Sequence, residues 1–243
     1  MIETFGLCKR FGEKCAVDHL TLAAQPGEVT GFLGPNGSGK TTTIRLLMGL
    51  LRPSDGRASI LGRDCQTDGT ALKHDVGYLP EEPFLYPYLT GRELLEFVAG
   101  LHGFARAEAR RRASLALERF GLTAERDGFS ITYSLGTRKR LALAAALIHD
   151  PSVLVLDEPT NGLDPQGARE MRELMLSLAG QGRTVFLSTH LLDAADKICH
   201  RVAIIKAGVL RALGTPAELR AQQGCAADAS LEDVFLTLTT ADR

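Results

Sequence analysis

The sequence predicts an α/β fold with a mostly parallel sheet at its core, and three observations predict it. Short apolar segments rich in β-branched residues at 28–33, 57–61, 76–79, 153–156, 184–188 and 202–205 alternate with longer helical patterns. From about 90 to 150 the strand signal vanishes and three helical patterns follow one another, so a helical subdomain is expected between two parts of the sheet. The composition, 44% hydrophobic and 23% charged over 243 residues, suffices for one core with a small satellite.

In chain order, residues 28–33 run through a Gly-rich stretch into 42–51, a helical pattern that stops before Pro53. Within 107–120, Ala109, Ala113, Ala116, Leu117 and Phe120 recur at helical spacing. Arg110, Arg111 and Arg112 lie off that stripe, as a solvated face or as a contact for lipid headgroups near a membrane partner. The longest apolar run, 141–148, is flanked by charge and falls short of the ~20 residues that cross a bilayer. Asp164 and Pro165 open a helix as N-cap and first-turn proline, with Ala168, Met171, Leu174, Met175 and Leu178 following on one face. After Pro216 a short helix, a linker at 224–230 and the stretch 231–238 read as an appendix.

The 28 Lys and Arg against 29 Asp and Glu leave a net charge of −1, so no bulk field points to nucleic acid. An acid at position 3 and no apolar stretch behind a basic head argue against a secretory signal. Five scattered cysteines without metal-like spacing read as reduced, buried thiols.

The chemistry is concentrated in two places. Gly34, Pro35, Asn36, Gly37, Ser38, Gly39, Lys40 and Thr41 satisfy the pattern GxxxxGK[ST] between an expected strand and an expected helix, with Thr42 continuing it. Glycines there let backbone N–H groups close around phosphate oxygens, and the helix N-terminus adds partial positive charge. Lys40 would neutralise the β and γ phosphates, and Thr41 would ligate Mg²⁺. The apolar run 153–156 ends on Asp157 and Glu158, at the carboxyl end of a strand, where α/β sheets place ligands. Strand alternation would turn Asp157 to the metal's water shell and Glu158 to the attacking water.

With those residues in place, the chain resembles the nucleotide-binding subunit of an ATP-binding cassette (ABC) transporter over about residues 1–215. Tyr133, Ser134, Leu135, Gly136 and Thr137 stand where that family carries its LSGGQ signature. Asn161 to Asp164 resemble the D-loop, His190 the switch histidine, Phe11 the adenine-stacking aromatic, and Glu81 occupies the Q-loop position. The resemblance implies a P-loop NTPase with a small N-terminal antiparallel β region beside the sheet core and the inserted helical subdomain. It divides the chain into 1–89 and 151–215 as the two parts of the ATP-binding core, 90–150 as the helical signature subdomain, and 216–243 as the appendix.

It also implies roles. Glu158 would be the catalytic base and His190 would hold the γ-phosphate and attacking water. Thr41, Glu81 and Asp157 would serve Mg²⁺. Ser134 and Gly136 would address the γ-phosphate bound by the opposite subunit. Glu81 brings a charge where the family has Gln, Leu135 a bulky side chain where it has Gly, and Phe11 keeps the stacking face of the more usual Tyr. The implied protein is an ATPase at the cytoplasmic face of the cell membrane. It would pair with a second nucleotide-binding subunit, in a homodimer, and power export through a separate permease. The Glu81, Ser134 and 231–238 features resemble the branch whose permeases are of ABC-2 type. Two other readings are a soluble ABC ATPase acting on ribosomes or DNA and a nucleotide-gated binding module with little hydrolysis.

Overall fold

The computed structural model describes residues 1–226 and 229–240, with side chains to residue 238. The appendix expected at 216–243 thus falls partly outside the described residues, at 227, 228 and 241–243.

Two long antiparallel strands, β1 (Ile2–Phe11) and β2 (Lys14–Ala24), precede β3 (Val29–Leu33) and α1 (Lys40–Leu47). Then come β4 (Asp55–Ile60), β5 (Arg63–Asp64), α2 (Gly69–Leu72) and β6 (Val76–Leu79). The helices α3 (Gly91–Leu101), α4 (Arg106–Arg119) and α5 (Leu135–Leu147) follow, where the strand signal had vanished. The chain continues through β7 (Val153–Asp157), α6 (Pro165–Gly180), β8 (Thr184–Thr189), α7 (Leu192–Asp196), β9 (Arg201–Lys206), β10 (Val209–Gly214), α8 (Pro216–Gln222) and α9 (Leu231–Thr240).

The larger sheet has the order β10-β9-β3-β8-β7-β6, parallel except for the β9/β10 hairpin. Alternate side chains of its strands enter two separate cores. Phe32, Val153, Val155, Phe186, Ala203 and Ile205 pack with Ile44 and Leu47 of α1 and with Ile2, Leu7 and Leu20 of the smaller sheet, β2-β1-β4-β5. Val29, Leu33, Leu154, Leu156, Val185 and Leu187 pack instead against Met171, Met175 and Leu178 of α6. Because both faces are covered, β3, β7 and β8 are buried along their whole length, which explains their short, mostly apolar or β-branched sequences.

A third core joins Leu94, Leu95 and Ala99 of α3 to Ala109, Ala113 and Leu117 of α4 and to Leu141 and Ala144 of α5. Ala142 and Leu143 of α5 face the sheet-side core at the same time. The apolar run at 141–148 is therefore a helix buried on opposite faces, which ties the helical segment to the sheet.

Two expectations are refined. Helix α1 starts at Lys40 and ends at Leu47 rather than running to 51, because Gly49 takes a left-handed φ of 66°, and a Cβ there would sit 2.5 Å from Cys65 O. The arginine triplet is not one solvated face. Arg111 and Arg112 both bind Glu108 and hold its carboxyl down at about 2, with hydrogen bonding to Arg111 the larger cause. Arg112 also lies 3.9 Å over the Phe104 ring centroid and donates to Ile148 O, so it fastens α4 to the end of α5.

Candidate functional site

Strand β3 delivers the chain to the loop 34–39, and α1 begins at Lys40 with Gly39 at its N-cap and no side chain capping it. The first backbone N–H groups of α1 are therefore left for an anion. Two loop positions admit glycine alone. A Cβ on Gly34 would fall 2.3 Å from Ile205 O, and Gly39, at φ 109°, would place one 2.3 Å from Ala16 O. Pro35, Asn36 and Gly37 form the exposed rim, whereas Ser38 and Lys40 are buried. The Lys40 ammonium donates to Gly34 O at 2.7 Å and Pro35 O at 3.2 Å and lies 3.5 Å from Glu158 Oε1.

Strand β7 ends on Asp157, whose Oδ1 accepts from Ser188 Oγ on the neighbouring β8. Glu158 N donates to that same Ser188 hydroxyl at 3.1 Å. Simple strand alternation does not orient Glu158, because it has left the β region for φ 46°. That turn brings its buried carboxylate between two partners, Lys40 on one side and His190 Nδ1 at 3.0 Å from Oε2 on the other. His190, exposed just beyond β8, also offers its backbone N–H to Oε2 at 3.4 Å.

Sequence reasoning missed Lys139. This buried residue of α5 donates to Glu158 O at 3.0 Å and to Asn161 O, pinning the backbone that carries Glu158. Burial lowers its pKa, and the carboxylates of Glu81, Glu158 and Asp157 oppose that shift. Lys139→Met should leave Asn161 O without its Lys139 partner and Glu158 O with only the Asn161 N–H, and cost about 1–3 kcal/mol of stability in a chemical-denaturation curve. An unchanged midpoint would show that the Lys139 bonds hold nothing in place. Ser188 and Tyr133 were also missed. The Tyr133 hydroxyl accepts from Gly91 N and lies against Glu125 O and Gly128 O, anchoring the signature segment to α3. Tyr133 and Lys139 lie in or just after the signature stretch and Ser188 two residues before His190, but neither residue type nor spacing there pointed to these contacts.

Phe11, Asn36, Gly37, Gly39, Lys40, Thr41, Thr42, Glu81 and Glu158 line one cleft of about 580 Å³, together with Lys14 and Ala16. Phe11 is 49% exposed at the end of β1, with the Lys9 ammonium 5.1 Å from its ring centroid. Ser134 and Gly136 are not brought there. They line a second cavity with Leu163, Asp164 and Gln166. Ser134 caps α5 by accepting from Thr137 N at 3.2 Å. The bulky Leu135 packs onto Gly162, where a Cβ would come within 2.6 Å of Leu135 Cδ2.

A family model described as "ABC transporter" matches residues 17–161. The chain is 44% identical over 219 residues to the daunorubicin resistance ATP-binding protein DrrA3 of Streptomyces coeruleorubidus, covering 90% of this chain and 69% of that protein. It is 38% identical over 240 residues to the probable multidrug ABC transporter ATP-binding protein YbhF of Escherichia coli, covering 98% of this chain but 41% of that longer protein. A solved structure of an ATP-binding subunit of an ABC transporter superposes with a TM-score of 0.91 at 31% identity, covering 98% of this chain and 99% of the other. A dimeric ATP-binding cassette in a post-hydrolysis state with ADP and Pi superposes with a TM-score of 0.82 at 25% identity, over 88% and 98%. With its cleft of phosphate loop and buried glutamate, this chain belongs to the ABC transporter family as an ATP-binding subunit that hydrolyses ATP.

Proposed function

We propose that two copies of this chain close around two molecules of ATP and Mg²⁺ at the cytoplasmic face of the membrane and drive export through a separate ABC-2 type permease. The observation that carries the reading is the placement of the Glu158 carboxylate between Lys40 and His190, in a cleft that also holds the phosphate loop and Phe11. The drug-resistance names of the DrrA-type relatives support the exporter branch. Residues 1–89 and 151–215 act as the ATP-binding core, 90–150 as the signature subdomain and 216–243 as its appendix.

The Thr41 hydroxyl and the Glu81 carboxylate on the cleft wall, with Asp157 behind it, are all-oxygen donors of the kind Mg²⁺ takes. Bound there, Mg²⁺ would supply neutralisation of the phosphate charge. Asp157, buried and hydrogen-bonded by Ser188, would add negative charge to the ion's surroundings. Phe11 stacks on adenine, the loop N–H groups and Lys40 hold the phosphates, Glu158 takes a proton from water, and His190 orients Glu158 and the γ-phosphate.

Coupling runs through an apolar groove of about 350 Å³ between sheet and helices, lined by Tyr78, Pro83, Phe84, Tyr86 and Val98. Phe84 in its wall, and Tyr88 four residues on, are each 78% exposed. An exposed aromatic patch of this kind suits a helix of the permease. The imidazole of His149 at its floor, pushed down to about 4 chiefly by burial, stays neutral near pH 7. Among the described residues no helix is long and apolar enough to cross a membrane, so the membrane path belongs to the partner in this reading.

The shared site is tested by Ser134→Arg. The monomer should bind ATP as the wild type does, since Ser134 is absent from the cleft of its own phosphate loop. ATP-driven dimerisation and hydrolysis should both be lost, because the long side chain blocks closure. Nucleotide affinity measured at protein concentrations too low for dimerisation decides it, and a large loss there would put Ser134 in its own chain's site.

A further inference from the structure

A feature of the small sheet is independent of the nucleotide cleft. Strands β1 and β2 pair Leu7 with Leu20 and Lys9 with Val17, so the single residue Cys8 faces two residues, Asp18 and His19. This is a β-bulge, a device that re-aims side chains. His19 accepts a left-handed φ of 46° to make it, a conformation that residues with a Cβ seldom adopt.

The bulge gathers three different donors. Cys8 Sγ, a carboxylate oxygen of Asp18 and an imidazole nitrogen of His19 all lie within 4.8 Å of one another. His19 Nδ1 is 2.7 Å from Asp18 Oδ1, which fixes the ring against the carboxylate. The backbone N–H of His19 donates to Cys8 Sγ at 3.2 Å, and that sulfur lies 3.4 Å from Gly6 O. Cys8 is only 5% exposed, whereas the side chains of Asp18 and His19 are 39% and 73% exposed. The sulfur forms a floor, and two hinged ligands stand between it and solvent.

We infer that Cys8, Asp18 and His19 form a binding site for a divalent transition metal of zinc type. Ligand bonds of 2.0–2.3 Å in a tetrahedron would set the donors about 3.3–3.8 Å apart, which a rotation of the exposed His19 and Asp18 side chains supplies. The mixed sulfur, nitrogen and oxygen set suits zinc, with a water in the fourth position, and the thiolate disfavours Mg²⁺. Metal entry releases the Cys8 thiol proton to solvent. None of the three residues lines the nucleotide cleft, so the two metals would not compete. Asp18 N donates to Gly208 O, and Gly208 N donates to Ser38 O, so a metal here would brace the strand pair that leads to the phosphate loop.

The experiment uses the full chain, stripped of metal and held in excess Mg²⁺, titrated with Co²⁺ as a spectroscopic stand-in for zinc. The expected result is a thiolate-to-cobalt charge-transfer band in the near ultraviolet that saturates at one equivalent and is displaced by Zn²⁺. Cys8→Ser should abolish the band, and Cys15→Ser should leave it intact. His19→Gly relieves the left-handed backbone and so keeps the bulge, yet should weaken Co²⁺ binding by more than about tenfold. No saturable band, a band that survives Cys8→Ser, or unchanged affinity in His19→Gly overturns the site. Because the Mg²⁺ site offers only oxygen ligands, its failure would not remove this band, and the band's absence would leave the ATPase reading standing.

Discussion

Replacing Glu158 with Gln is expected to reduce ATP hydrolysis by roughly 10²–10⁴-fold, the usual worth of a positioned general base. The substitution keeps the shape that fits between Lys40 and His190, which flank the carboxylate at 3.5 and 3.0 Å. Nucleotide binding should survive, since the amide no longer competes with phosphate for the Lys40 ammonium. Size-exclusion chromatography with ATP and Mg²⁺ should then show a persistent dimer that the wild type forms only transiently. Turnover at the wild-type rate would identify another residue as the base.

Lys40→Ala should abolish tight ATP binding. In the structure this buried ammonium already makes two charge-assisted hydrogen bonds to loop carbonyls, and 34–42 holds no Lys or Arg besides Lys40. Two such bonds to phosphate, at about 1.5–3 kcal/mol each, correspond to roughly 10²–10⁴ in affinity. Calorimetric titration reads that loss directly. The substitution also removes one of the two partners of the buried Glu158 carboxylate and leaves only His190, so a thermal melt of the same sample is needed. A folded Lys40→Ala protein with wild-type ATP affinity would overturn the phosphate-loop reading.

How far the sequence could be read depends on the range of the interactions involved. Strands β3, β7 and β8 were legible because burial on both faces favours a short run of apolar and β-branched residues, a signal contained in five or six residues. The start of α6 was legible for a similar reason. Asp164 caps by accepting from Gly167 N three residues on, and Pro165 follows at the first position. Strands β1 and β2 were not legible residue by residue. Their pairing shifts register between Thr4 and Leu7, between Leu7 and Lys9, and again between Lys9 and Arg10, which destroys the alternation that marks a half-buried strand. Arg112 looked like its neighbours Arg110 and Arg111, because its bond to Ile148 O spans 36 positions.

By itself the sequence determined which residue types stand in which order: a glycine loop shaped for phosphate, an Asp and a Glu after a buried strand, and a histidine after the next one. These are local facts, set by the conformations a few neighbouring residues permit. Tertiary structure alone decided how those parts meet. It turned Glu158 to φ 46°, paired its carboxylate with Lys40 and His190, pinned its carbonyl with Lys139, and held Ser134 in a different cavity. Each of those outcomes depends on contacts across 19 to 118 positions in the chain, where hydrogen-bond partners are chosen by the packing of β7, β8, α1 and α5 rather than by anything in the intervening sequence.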